Sequence, residues 1–109
     1  MIKTLINNKI EEVETLNRNG TCLQEKIDIA YSKLVKIFGE PKRVTEGYKI
    51  DAQWVFLTYA GVAAIYNYKT GINYLGKDGK EVEDIRNWHI GGHSKAVVPF
   101  ILKALGISQ

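Results

Sequence analysis

The sequence predicts an α+β fold: a small antiparallel sheet, made of a β-hairpin and one or two further strands, packed against a helix in the N-terminal half and a second helix at the C-terminus. Three observations carry this. Residues 48–67 contain two arms rich in β-branched and aromatic side chains, joined at Ala60-Gly61. Apolar residues recur at three- and four-residue steps through Ile27, Ala30, Tyr31, Leu34, Val35 and Phe38, and again through Val97, Phe100, Ile101 and Leu105. The chain has 109 residues, enough for one compact domain and too few for two. Residues 1–109 are therefore read as a single domain, with 1–20 as a lead-in and 21–106 as the core.

Within the lead-in, Ile2, Leu5, Ile6, Ile10 and Val13 lie near helical spacing, but Asn7-Asn8 interrupts them. A short strand over 12–16, before a turn at Asn17-Arg18-Asn19-Gly20, fits equally well. Thr21 and Gln24 have the spacing of a capping box. The stripe that follows predicts a helix over 23–38, ended by Gly39 and barred from continuing by Pro41. In the first hairpin arm Ile50, Ala52, Trp54 and Phe56 share one face, and Lys49, Asp51, Gln53 and Val55 the other. The second arm, 62–69, sets Tyr66 and Tyr68 against Ile65 and Asn67. Trp54 and Phe56 are expected in the core.

Thr70-Gly71 breaks this arm, residues 73–75 are expected to pair briefly, and Gly76-Lys77-Asp78-Gly79 reads as an exposed turn. Residues 85–90 predict another strand, leading into a bend at Gly91-Gly92. Ser94 is placed to cap the last helix and Gly106 to close it. Pro99 requires either an irregular first turn or a regular helix that begins there.

Hydrophobic residues make up 45% of the chain and charged residues 25%, which excludes a disordered or collagen-like chain. No apolar run approaches the ~20 residues of a membrane helix, and the first residues lack the apolar stretch of a signal peptide. The single cysteine, Cys22, has no internal disulfide partner, consistent with a reducing cytoplasm. Fifteen Lys and Arg against twelve Asp and Glu give a net charge of +3. That is a mild attraction toward anions, short of a dedicated nucleic-acid binder and of the wrong sign for a DNA mimic.

His89 and His93 stand four apart, but the glycines between them disfavour a helix and no further ligand lies nearby, so no metal site or cofactor is expected. The same pair is poorly spaced to serve as acid and base, and Cys22 lacks a histidine partner, so catalysis is the minority reading. Trp88-His89-Ile90-Gly91-Gly92-His93-Ser94 has more to offer. Paired glycines before a helix start can turn their amides toward one anion, although a tight strand-to-helix turn needs glycine for geometry alone. Aromatic and polar residues interleave elsewhere: Tyr48-Lys49, Tyr66-Asn67-Tyr68-Lys69, Asn73-Tyr74. Such rings can stack on bases while lysines neutralise phosphate, or can simply pack the sheet.

The stretches Leu34-Val35-Lys36-Ile37-Phe38-Gly39-Glu40-Pro41, Gly47-Tyr48-Lys49-Ile50-Asp51-Ala52-Gln53-Trp54, Ala64-Ile65-Tyr66-Asn67-Tyr68-Lys69, Asn73-Tyr74-Leu75-Gly76 and Trp88-His89-Ile90-Gly91-Gly92-His93 resemble a group of small bacteriophage-encoded proteins with no established reaction. One departure is Ala60-Gly61, where the group has an acidic residue before the glycine. The resemblance implies action in an infected host's cytoplasm, against its defences. The expected function is then non-enzymatic sequestration of a nucleotide-derived signalling molecule, in a homo-oligomer. Tyr48, Tyr66 and Trp88 would meet base or ribose; Lys49, Lys69 and the amides of Gly91 and Gly92, in a cradle completed by Ser94 at the helix start, would hold phosphate; Asn73 and His89 would read sugar or base edges. The alternatives are an anti-CRISPR-like inhibitor that covers a host nuclease or its nucleic acid with an exposed patch, and a nucleotide hydrolase.

Overall fold

The computed structural model describes the backbone of residues 2–6, 9–13, 20–44 and 49–107, and the side chains of 20–44 and 49–107. Its centre is the hairpin of β5 (Ala52–Thr58) and β6 (Gly61–Tyr66). Their pairing runs from Gln53↔Tyr66 to Thr58↔Gly61, so Tyr59-Ala60 form the two-residue loop and Gly61 opens the second strand at φ 107°. Thr58 Oγ1 closes the loop, accepting from the Ala60 amide at 3.0 Å and donating to the Gly61 carbonyl at 2.8 Å.

One side of the hairpin carries β7 (Asn87–Gly92), antiparallel to β6, and then β3 (Cys22–Asp28), antiparallel to β7 and last in the sheet. The outer side of β5 is shared. β4 (Lys42–Arg43) pairs with Ala52 and Gln53, and β1 (Ile2–Ile6) runs parallel to Val55–Leu57. β2 (Lys9–Val13) then pairs antiparallel with β1. The fold is α+β, as the sequence predicts, and its one parallel contact among the described strands is β1 against β5. The lead-in is thus two strands; residues 14–16 of the expected short strand, and 17–19 of the turn, lie outside the described residues.

The helix expected over 23–38 is corrected. Only α1 (Tyr31–Phe38) is helical, and Cys22–Asp28 is strand. The Gln24 side chain makes no capping box; its Nε2 donates to the Gly92 carbonyl at 2.9 Å. Ile27 satisfies both periods, three residues before Ala30 and opposite Trp88 in the sheet, and pairing with β7 decides between them. Gly39, at φ 83°, and Pro41 end α1 as expected. Residues 72–75 form the short α2 (Ile72–Leu75), followed by a 3-10 turn, rather than a strand. At the C-terminus Ser94 Oγ accepts from the Ala96 amide, a 3-10 turn over Lys95–Val97 follows, and α3 (Val98–Ala104) takes Pro99 in its first turn, where its missing N–H costs no helical bond.

α1 and α3 cover one face of the sheet. Leu34 and Phe38 with Val98, Ile101 and Leu105 enclose Ala52, Trp54, Phe56, Ile65, Trp88 and Ile90. Trp54 and Phe56 are core, as expected. Trp54 and Trp88 meet edge-to-face at 5.4 Å, with Tyr31 against both. Their indole nitrogens donate to Gly39 and Ile85 carbonyls, so burial leaves no donor unpaired. The opposite face carries a smaller cluster of Val55, Ala64 and Tyr66, which Ile50 joins instead of the Trp54 face because the chain at Ile50 is not yet strand.

Candidate functional site

The bend expected at Gly91-Gly92 is strand, and this moves the candidate site. Gly91 and Gly92 pair with Ala64 and Ala63 on one side and with Leu23 and Cys22 on the other. Their role is close packing. A Cβ on Gly91 would stand 3.0 Å from the Tyr66 ring, and one on Gly92 2.6 Å from Val97 Cγ2. Trp88 is fully buried, so it offers no ring to a ligand. Ser94 is exposed but spends its hydroxyl on the Ala96 amide. Tyr48 lies outside the described residues.

Asn73 is corrected from reader to support. Its Nδ2 donates to the carbonyls of Val44 and Ile50, and its amide donates to Asp51 Oδ2. Asp51 belongs to a buried network centred on Asn67, which is wholly inaccessible. Asn67 Oδ1 accepts from the amides of Asp51 and Ala52, while its Nδ2 donates to Asp51 Oδ1 at 2.9 Å and to Thr70. A side chain at Gly71 would collide with the Asp51 carboxylate. Fully satisfied networks of this kind rigidify their surroundings, and what this one fixes is the chain from Asn67 to Asn73.

The segment presents Lys69. At φ 61° it is the sole non-glycine residue with positive φ among the described residues, held there by its amide's bond to the Lys49 carbonyl at 2.8 Å. The left-handed conformation costs a side-chain-bearing residue about 1–2 kcal/mol, and such outliers cluster where function needs them. The Lys69 ammonium lies 5.3 Å from the Tyr68 ring centre and 5.4 Å from that of Tyr74, two cation–π contacts between exposed groups. His89 stacks on Tyr68 at 5.6 Å and meets the edge of buried Tyr66 at 5.5 Å. Partial burial, with the Lys26 ammonium on the neighbouring strand, holds His89 below the ordinary imidazole value.

Of the expected residues, Tyr66, Lys69 and His89 are therefore brought together, and Lys49 supports Lys69 through its backbone. Tyr68 and Tyr74 complete the cluster. Both lie among the interleaved aromatics of the sequence; their exposure is set by where β6 ends and α2 begins, which alternation alone does not fix.

Beside the cluster is a cavity of about 210 Å³ lined by Lys69, Thr70, Leu75, Asp78, Lys80, Ile85, Arg86 and Asn87. A larger groove, about 570 Å³, runs between edge strand β3 and α3, with Ile27, Val98, Pro99, Leu102 and Ile107 as its apolar lining and Glu25, Lys26 and Lys95 as its charged lining. His89 lies on β7 and His93 just beyond the end of that strand. Among the described residues no His, Cys, Asp and Glu gather in a group that could hold a metal ion, and no helix is long and apolar enough to cross a membrane. Comparison with known protein families, curated proteins and solved structures gives no match for this chain.

Proposed function

We propose that the chain is a non-catalytic binding module that captures a nucleotide-derived molecule at the Tyr68–Lys69–Tyr74–His89 cluster. The observation that carries this reading is the lysine set between two exposed tyrosine rings, on backbone that a buried network holds in a conformation lysine avoids. Rings of this kind offer stacking worth ~1–3 kcal/mol per base, and the ammonium supplies the charge a phosphate requires. With the resemblance to small phage proteins, sequestration of a host defence signal in the host cytoplasm is the role that such capture serves.

The test is retention. Purified protein is incubated with linear and cyclic dinucleotides, mononucleotides and ADP-ribose derivatives, separated from free ligand, and denatured by heat. Recovery of intact ligand, lost in Tyr68→Ala at an unchanged unfolding midpoint, supports the reading; recovery of a chemically altered product makes the chain a hydrolase. If nothing is retained the reading fails. The groove between β3 and α3 then favours the second reading, an inhibitor that covers a host nuclease.

A further inference from the structure

The ring cluster and the neighbouring cavity share Lys69, and the cavity's other charges come from separate segments. Lys80 follows the 3-10 turn, tied to the chain by its amide's bond to the Thr70 carbonyl at 3.1 Å. Arg86 precedes β7; its Nε donates to Asp28 Oδ1 at 2.9 Å, and no described residue bonds its terminal nitrogens. Asp28 does not line the cavity, and Asp78 is the single carboxylate that does. Neither Lys69 nor Lys80 forms an ion pair with a described residue. Three cationic residues thus line a space with one acid, and Thr70 and Asn87 add neutral polar groups. Arg86 keeps its ion pair with Asp28 outside the cavity and Lys69 its two ring contacts, so the lining has an excess of positive charge that favours an anion.

Size narrows the anion. Pockets that enclose a whole drug-sized ligand measure roughly 300–1,000 Å³, and about 210 Å³ holds only part of one. A ligand that reaches the rings must therefore leave the cavity. A phosphate monoester carries a charge of about −1.5 to −2 at neutral pH and three acceptor oxygens, whereas a diester carries one charge and is flanked by chain on both sides.

Resting on the capture reading above, we propose that this cavity is a phosphomonoester subsite: the ligand is a nucleotide with a terminal phosphate, held by Lys69, Lys80 and Arg86, whose base lies outside against Tyr68 and Tyr74. Cyclic nucleotides, which have no terminal phosphate, are then the poorer ligands.

Calorimetric titration of the full chain with adenosine 5′-monophosphate, 3′,5′-cyclic adenosine monophosphate and adenosine tests this. The 5′-monophosphate is expected to bind at least about tenfold more tightly than the other two, as charge-assisted hydrogen bonds imply, and inorganic phosphate is expected to compete with it. Lys80→Ala and Lys80→Gln, whose backbone bond to Thr70 is retained, are expected to abolish that preference. Equal binding of the cyclic and linear monophosphates, or a preference that survives both substitutions, overturns the subsite. If Tyr68→Ala still abolishes binding in that event, the capture reading stands without it; if none of the three compounds binds the native chain, the subsite is overturned, and the retention assay decides the broader reading.

Discussion

Trp88 and His89 are neighbours on β7, and each joins an aromatic group of a different kind. Trp88 points to the helical side, where it meets Trp54 and Tyr31 with its indole nitrogen bonded to Ile85 and no surface left exposed. His89 points to the other face, into a line of Tyr66, Tyr68, Lys69 and Tyr74 that becomes more exposed as it leaves the sheet. The first group is closed: its polar atoms are satisfied within the protein, and its rings hold layers together. The second ends in a cation and two accessible rings. One strand supplies both because successive side chains point to opposite faces. Aromatic content alone therefore says nothing about ligand binding until the register assigns each ring a face.

The sharpest way to break the comparison is to remove one ring from each group. Trp88→Ala empties a fully buried site and is expected to cost about 3–5 kcal/mol, against less than about 1 kcal/mol for Tyr68→Ala at the surface; urea denaturation of the two variants reads the difference. Equal losses would mean that Tyr68 is structural. Next in size is Asn67→Ala. It strips partners from the Asp51 and Ala52 amides and from the Asp51 carboxylate, each unsatisfied group costing about 1–3 kcal/mol. It is also expected to release Lys69, so ligand retention should fall even where enough folded protein remains to assay.

Gly92→Ala forces a methyl into Val97 and should lower stability by about 1–3 kcal/mol. Gly91→Ala, whose nearest contact is 3.0 Å from the edge of a tyrosine ring, is expected to cost less, because the ring can shift by a few tenths of an ångström. If Gly92→Ala left stability intact and removed ligand retention, the glycines would regain a binding role. The smallest effect is the pH response of His89. Its imidazole is held below its unfolded value, so above about pH 6.5 both states are neutral and stability is unaffected. As pH falls through that value the unfolded chain takes up the proton first, and stability declines until the folded imidazole titrates. His89→Gln should flatten this decline, as measured by unfolding midpoints between pH 7.5 and 5.

Much of the architecture follows from local pattern. The hairpin is legible because β-branched and aromatic residues dominate both arms and polar and apolar residues alternate over Lys49-Ile50-Asp51-Ala52-Gln53, and the end of α1 because Gly39 and Pro41 stop a helix wherever they occur in this order. What local pattern misses is decided by contacts far apart in the chain. Cys22–Asp28 carries both a capping-like Thr21/Gln24 pair and an apolar residue at helical spacing, yet the edge of β7, sixty-eight residues from Gln24 at their shared hydrogen bond, makes it strand. Gly91-Gly92 resembles a bend because glycine weakens strand interiors; the Tyr66 ring and Val97, which require the missing side chains, come from β6 and the approach to α3. The site shows the same division. Lys69 and His89 stand out as residue types in an aromatic context, but that Asn73 supports the turn instead of facing a ligand follows only from its bonds to Val44 and Ile50.

Amide resonances of isotopically labelled protein, followed while a retained nucleotide is added, discriminate most directly between the outer cluster and the glycine strand. Shifts concentrated at Tyr68, Lys69, Tyr74 and His89, with Ala63 and Gly92 still, are the result expected; shifts centred on Gly91, Gly92 and Ser94 that leave the tyrosines unmoved would contradict the assignment of binding to the exposed rings.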